Sequence, residues 1–268
     1  KDFWVGFDAG TSSTCVAIGT SDQIKMGRLK NGDYIIPSRV SIDLNEEPTP
    51  DQINNLGFPD SIVRYGTAAE FRFNIESDEK FQSIKKLLGY KDVKRITFKN
   101  NSHVDLTGSR LTSLLVGGIF RDMKETIEKD KSEYKSVLED GRFDPKRLVV
   151  AIPNNFSQKK INDLVEAFAY LKKIEHGSQQ QAPQFLEIRY VYEAEAIVMY
   201  YLKGSRNLSR LLVPINEEGK AAPPKSTPGV ENILVFDMGG ATINATLVTV
   251  KQQEYDFETS YDVNIIGK

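Results

Sequence analysis

The sequence predicts an α/β protein built on a mixed sheet with helices on its faces. Three observations lead to this fold class. Residues 3–43 alternate short apolar runs with polar turns, which is typical of a β-meander. Two later segments each read as a strand followed by a helix, which is the pattern of a βα unit. A strand–Asp–x–Gly–strand motif occurs near each end of the 268-residue chain.

The elements follow in chain order. The runs "FWVGFDAG" and "TCVAIGT" form the first strands, and the Asn-Gly pair at 31–32 is a hairpin signal. Apolar spacing predicts helices over residues 81–88 and 111–131. "RLVVAIP" reads as a buried strand stopped by Pro153, with Ser157 as the N-cap of the next helix. "FLEIRYVY" and "EAEAIVMYYLKG" form the second strand and helix.

Composition describes an ordinary soluble globular chain. The net charge is −2, from 35 Lys plus Arg and 37 Asp plus Glu, so no basic excess indicates a nucleic-acid partner. No apolar run reaches the roughly 20 residues that cross a bilayer, so we expect no membrane partner. The single cysteine, Cys15, cannot form an internal disulfide, which suits a reducing compartment or a protein indifferent to redox, and we expect a cytoplasmic location.

The repeated motif carries the functional hypothesis. "WVGFDAGTSSTCVAI" and "ILVFDMGGATINATLV" both place Phe–Asp at the end of an apolar strand, before a glycine turn. Such a turn exposes backbone N–H groups that form an anion-binding concavity, whereas a single copy is also explained as a generous hairpin loop. Asp repels phosphate but can hold a hydrated Mg²⁺ that bridges to it. Two such loops would clamp a polyphosphate, with Asp8 and Asp237 around one cation.

These motifs resemble, in order, the nucleotide-binding domain of the DnaK-type heat-shock chaperone family, within the actin-like ATPase superfamily. "VGFDAGTSSTCVAIG" is similar to the first phosphate loop of that family, and "VFDMGGATINATLV" to the second. Segments between them are also similar to family motifs: "IIPSRVSI", "YGTAAE", "IKKLLGY", "LVVAIPNNFSQKKINDLVEAFAYL" and "VYEAEAIVMYYLKG". The matches span nearly the whole chain.

The resemblance implies a fold and domain boundaries. Residues 1–204 would form a ribonuclease H-like lobe with a mixed five-stranded sheet and an α+β insertion at about 38–110. Residues 205–230 would be a linker, and residues 231–268 would begin a second lobe of the same kind. The family continues with an adenosine-binding loop and a peptide-binding domain. We therefore expect the phosphate half of a nucleotide site here, and weak nucleotide binding by this chain alone.

The resemblance also implies roles for individual residues. Asp8 and Asp237 would hold the hydrated Mg²⁺ of bound ATP or ADP, and Glu193 would lie near the attacking water. The phosphates would contact both loops: Gly10, Thr11, Ser12 and Ser13 in the first, and Gly239, Gly240, Ala241 and Thr242 in the second. Pro153 would relay nucleotide state between domains. A strand stop explains Pro153 equally well, and a favourable charge at a helix N-terminus explains Glu193.

Three residues depart from the family pattern. Glu70 stands where the family has a lysine aimed at the transferring phosphate, and Arg72 lies on a helix side that points elsewhere. Asn244 replaces an aspartate near the end of the second loop, and Ala241 adds a Cβ where backbone meets phosphate. Phosphoryl transfer depends on positioning and charge neutralisation. We therefore expect ATP binding with slow or absent hydrolysis.

Three functions stay open at this point. The first is the ATP-binding domain of a divergent heat-shock, stress-response chaperone that couples nucleotide state to a peptide-binding domain outside this chain. Unfolded client peptides and co-chaperones would then be partners of those outer regions. The second is a non-catalytic nucleotide-binding regulator or co-chaperone, which Glu70 and Asn244 favour. The third is a small-molecule kinase of the same fold, although no sugar-pocket signature is seen.

Overall fold

The computed structural model describes residues 3–20, 23–138, 142–171, 185, 187–204, 230–238, 243–255 and 258–267. The chain forms two compact units. Unit 1 contains the described residues up to Ile152 together with those of Phe156–Tyr190. Unit 2 contains Pro153–Asn155 and the described residues of Val191–Met238 and Thr242–Lys268. Apart from Val230, the predicted linker at 205–230 lies outside the described residues.

In chain order, the strands are β1 (Trp4–Ala9), β2 (Ser13–Gly19), β3 (Ile24–Met26), β4 (Ile35–Pro37), β5 (Arg39–Asp43), β6 (Val63–Tyr65), β7 (Asp78–Gln82), β8 (Lys94–Thr97), β9 (His103–Leu106), β10 (Arg147–Ile152), β11 (Glu187–Tyr192), β12 (Val230–Met238), β13 (Ile243–Tyr255) and β14 (Glu258–Gly267). The helices are α1 (Pro50–Asn55), α2 (Gly66–Phe71), α3 (Gly108–Lys129), α4 (Lys131–Tyr134), α5 (Gln158–Tyr170) and α6 (Glu193–Gly204), with a 3-10 turn at Ile84–Leu87.

Among the described residues, six strands form the main sheet of unit 1. Their order is β11-β10-β1-β2-β3, and β4 also pairs with β2. Because β1 runs parallel to β10 and antiparallel to β2, the sheet is mixed, as predicted. β3 pairs with residues 17–19 and β4 with residues 13–15. The sheet has six strands and not the predicted five, because two short strands, β3 and β4, pair with different parts of β2.

Two amphipathic helices bury their apolar faces on the main sheet. The Phe7 ring of β1 stacks on Phe120 of α3, with 6.0 Å between centroids, and meets the edge of Phe168 of α5 at 5.5 Å. All three rings are buried. The side chain of Ser157 accepts a hydrogen bond from the N–H of Lys160, so its predicted N-cap role is confirmed. Within the described ranges, none of the helices combines the length and hydropathy that a bilayer crossing requires.

Residues 39–106 build two smaller antiparallel sheets, β6-β5-β7 and β8-β9, together with α1 and α2. This segment falls within the predicted insertion, whose status as a subdomain stays a prediction. The helix predicted over residues 81–88 is wrong: Phe81 lies in β7, and Ile84–Leu87 form one 3-10 turn. Phe81, Ile84 and Leu88 are all buried in the core, although they belong to different local structures. Their burial produces the apolar spacing that resembles a helix.

Trp4, the one tryptophan of the sequence, lies at the start of β1 between two arginines. The guanidinium carbon of Arg189 lies 5.0 Å from the centroid of the Trp4 ring, and that of Arg147 lies 5.5 Å from it. Glu187 of β11 forms ion pairs with both arginines. These cation–π contacts join the three neighbouring strands β1, β10 and β11 at one end of the sheet.

In the described part of unit 2, β12, β13 and β14 form an antiparallel sheet in that order. One face packs on α6, where Ala194 and Val198 join a buried cluster with Ile233 and Val248. The sequence prediction assigns residues up to 204 to the first lobe, whereas α6 belongs to unit 2 and packs on its sheet.

Candidate functional site

The predicted first phosphate loop joins β1 to β2 in unit 1. Asp8 is the next-to-last residue of β1, is exposed, and lies opposite Cys15 in the register of the sheet. Gly10, Thr11 and Ser12 span the turn. A Cβ at Gly10 would lie only 2.1 Å from the carbonyl oxygen of Ser13, so this position requires glycine. A tight glycine turn, hydroxyl groups and an exposed carboxylate are a donor set that fits Mg²⁺ and phosphate.

Ser38 fastens this loop to the segment between β4 and β5. Its hydroxyl donates to the carbonyl of Gly10 over 2.9 Å and shares a 3.0 Å hydrogen bond with the hydroxyl of Thr14. Its backbone N–H donates to the carbonyl of Ser12 over 2.9 Å. Both Thr14 and Ser38 are buried. In the sequence, this segment stands out only because it resembles a motif of the chaperone family. A serine 28 residues from Gly10 gives no local indication that it contacts the loop.

The predicted second loop joins β12 to β13 in unit 2. Asp237 is the next-to-last residue of β12 and lies opposite Asn244 in the register. Each aspartate therefore faces the residue seven positions later in the chain, Cys15 for Asp8 and Asn244 for Asp237. The two hairpins share one register around their aspartates. The predicted contact residues of this second loop lie outside the described residues: Gly239, Gly240, Ala241 and Thr242.

Glu70 lies on α2 and is paired with Arg39, the first residue of β5. The two charged groups are 2.7 Å apart, and both side chains are partly exposed. Arg39 directly follows Ser38 in the chain, so Glu70 is tied to the strand whose preceding residue holds the first loop. Sequence reasoning missed Arg39, because a lone arginine at a strand start has many ordinary explanations.

Arg72, at the C-terminal end of α2, binds two carboxylates of the β6-β5-β7 sheet. Its guanidinium lies 2.6 Å from Asp43 and 2.7 Å from Asp78, and Ser41 donates a third hydrogen bond to Asp78. Burial alone would raise the pKa of the fully buried Asp78 carboxyl, but the hydrogen bonds and charge of Arg72 outweigh it and hold that pKa below its usual range. Arg72 therefore stabilises the β6-β5-β7 sheet through these two carboxylates.

Cys15 lies beside Asp8 on the neighbouring strand. Partial burial raises the pKa of its thiol, and the negative charge of Asp8 raises it further. The thiol is therefore protonated at neutral pH and is a poor nucleophile.

Glu193 and Pro153 occupy positions with clear structural explanations. Glu193 is half-buried and begins α6, where the helix dipole favours a carboxylate. Pro153 is buried and directly follows β10. Asn154, next to it, donates a hydrogen bond from its side chain to Thr246 of β13. A catalytic role for Glu193 and a relay role for Pro153 stay predictions.

Comparison with known proteins finds a distant similarity to a heat-shock protein. No model of a known protein family matches the chain. The chain is 22% identical over 266 residues to Heat shock 70-related protein 5 of Dictyostelium discoideum, and the match covers 94% of this chain. It covers 43% of that relative, so the chain spans less than half of the relative's length. Together with the α/β fold and its mixed sheet, this similarity supports a distant relationship to the Hsp70 family.

Proposed function

We propose that this chain is the ATP-binding domain of a divergent relative of the heat-shock chaperones. It binds Mg-ATP through the loops at residues 10–13 and 239–242, and it couples nucleotide state to a peptide-binding domain outside this chain. The observation that carries the proposal is the shared register of the two hairpins, in which Asp8 and Asp237 take equivalent places. The distant relationship to the Hsp70 family supports it.

Each residue of the site has a role in this proposal. The carboxylates of Asp8 and Asp237 hold Mg²⁺ through water, and backbone N–H groups and hydroxyls of residues 10–13 bind phosphate oxygens. Bound Mg²⁺ offsets the negative charge of the phosphates. Ser38 keeps the first loop in the shape that presents these groups. Glu193 positions a water molecule for attack.

We propose further that hydrolysis is slow. Stabilising the charge of the transferring phosphoryl group needs a cation that interacts with it. Glu70 supplies a carboxylate at the family's lysine position, and the charge of Arg39 is already shared with it. Arg72 is bound to Asp43 and Asp78.

The test is ATP binding measured by calorimetry with Mg²⁺, followed by single-turnover hydrolysis on the same sample of the full-length protein. We expect heat of binding and a hydrolysis rate well below that of ordinary chaperones. A normal rate would contradict the proposed slow hydrolysis. No heat of binding with either ATP or ADP would contradict the proposal as a whole.

A non-catalytic nucleotide-binding regulator is the second candidate, and the Glu70–Arg39 ion pair favours it. A site that never hydrolyses ATP has no need of a free cation at the transferring phosphate. Tight binding with no turnover at all, in the full-length protein, would select this function over a working ATPase cycle.

A further inference from the structure

A groove on unit 1 forms where the 3-10 turn, β8, β9 and the start of α3 meet. It encloses about 470 Å³. Most of its lining is apolar: Phe81, Leu87, Tyr90, Val93, Leu106 and Leu111. None of these residues belongs to the two loops or to the ion pairs described above.

The groove has a buried floor and exposed walls. Phe81, Leu106 and Leu111 form the floor and are all buried. The walls are unusually exposed for apolar residues: Leu87 is 37% exposed, Val93 is 54% exposed and Tyr90 is 59% exposed. A partner that removes these neighbouring apolar side chains from water lowers the free energy of the complex.

The edges of the groove are held in place by close backbone contacts. A Cβ at Gly108 would lie 2.3 Å from the carbonyl oxygen of Leu87, so the 3-10 turn and α3 meet without a side chain between them. Gly89, with φ +85°, donates its N–H to Asp163 over 2.7 Å and accepts a hydrogen bond from Lys159. A preformed groove loses little conformational entropy when a ligand binds.

Basic side chains outnumber acidic ones at the rim of the groove, in a chain whose net charge is −2. Between residues 85 and 95 there are five basic side chains and one acidic side chain, Asp92. Lys86, Lys94 and Asp92 line the groove, and Lys91 is exposed beside Tyr90. Lys94 pairs with Glu79 at 3.2 Å and Arg95 with Asp105 at 2.7 Å, whereas in the described structure Lys86 and Lys91 have no such partner. Lys86 and Lys91 outnumber the carboxylate of Asp92, so the rim keeps a net positive charge.

We propose that this groove docks an extended segment of a partner protein that carries an apolar anchor flanked by Asp or Glu. The anchor covers Leu87, Tyr90 and Val93. The acidic flanks lie against Lys86 and Lys91, so charge complementarity selects the occupant and the apolar walls hold it.

Three short fluorescein-labelled peptides test this docking site on the whole 268-residue chain. One has a Leu-Phe-Leu core between Glu residues, one has the same core between Lys residues, and one has a Ser core between Glu residues. Fluorescence anisotropy at low salt should give about tenfold tighter binding for the first peptide than for the others. Equal binding of all three peptides would overturn the proposal.

Substitutions at exposed positions locate the binding. Val93→Glu should weaken binding of the acidic apolar peptide about tenfold, because it places a like charge on the groove wall. The double substitution Lys86→Glu with Lys91→Glu should make the Lys-flanked peptide the tighter ligand. Its matched control, Lys129→Glu with Lys131→Glu, makes the same change in net charge on other exposed lysines and should leave the order unchanged. An unchanged order in the groove variant would overturn the proposal.

Discussion

The hydroxyl of Ser38 donates a 2.9 Å hydrogen bond to the backbone carbonyl of Gly10. A side chain at the entrance to β5 therefore holds the turn that follows β1, and the buried hydroxyl of Thr14 shares the contact. The loop proposed to bind phosphate depends on a residue outside its own hairpin.

Ser38→Ala should weaken Mg-ATP binding about tenfold and lower the free energy of unfolding by roughly 1–2 kcal/mol, because the Gly10 carbonyl and the Thr14 hydroxyl lose a buried partner. Calorimetry and urea unfolding followed by circular dichroism measure both. Ser61→Ala, at an exposed position, is the control and should change neither. Unchanged affinity together with reduced stability would show that Ser38 is structural only.

Gly10→Ala should abolish nucleotide binding, since its Cβ would collide with the Ser13 carbonyl. Gly57→Ala is the matched control, because a Cβ at Gly57 meets nothing within 4 Å. Nucleotide protection in thermal melts distinguishes the two variants. If both retain the same protection, residues 10–13 do not bind the nucleotide.

Asp8→Asn and Asp237→Asn should each weaken ATP binding about tenfold or more when Mg²⁺ is present, since either change removes a carboxylate from the cation. With EDTA in place of Mg²⁺ the losses should disappear. Calorimetry under both conditions makes the comparison, with the exposed-site variant Asp144→Asn as control. A loss of similar size without Mg²⁺ would show that the aspartates do not act through a metal.

Glu70→Lys should raise the single-turnover hydrolysis rate at least about tenfold, because it replaces a carboxylate with a cation. Glu70→Gln breaks the same ion pair with Arg39 without adding a positive charge, so it should change the rate little. Rapid-quench measurements on both variants separate the two effects. Equal rates for Lys and Gln would place residue 70 away from the phosphates.

Asp78→Asn should lower the free energy of unfolding at neutral pH by about 2 kcal/mol, because Arg72 loses a buried carboxylate. The pKa of Asp78 lies lower in the folded state than its unfolded value of about 3.9. Its contribution is therefore complete above about pH 5 and is lost as the pH falls through the folded pKa. Urea unfolding over a pH series should show the two proteins converging in acid, whereas a constant difference would assign the effect to packing.

Local patterns in the sequence predicted the parts of the fold that depend on neighbouring residues. The Ser157 cap is one such part, because capping acts within one helical turn. The helix predicted over residues 81–88 failed because three buried apolar residues have a similar spacing whether a helix or a strand with a 3-10 turn presents them. Burial was predicted there, but the backbone that achieves it was not.

The candidate site was predictable only where it repeats. The strand–Asp–x–Gly pattern marked Asp8 and Asp237 because the two copies share their spacing, and the register of each hairpin has the same spacing. The contacts of Ser38 and the pairing of Arg39 with Glu70 join residues about 30 positions apart. Such contacts depend on how the small sheet packs, which no local pattern encodes.

The indole of Trp4, between the guanidinium groups of Arg147 and Arg189, gives the protein an intrinsic optical reporter. Because the sequence has no other tryptophan, its emission monitors only the main sheet of unit 1, in the strand that ends beside Gly10. Detachment of β1 would remove both cations and expose the ring, shifting the emission to longer wavelength. Circular dichroism averages over the whole chain, so denaturation midpoints that differ between the two signals would reveal that the units unfold separately.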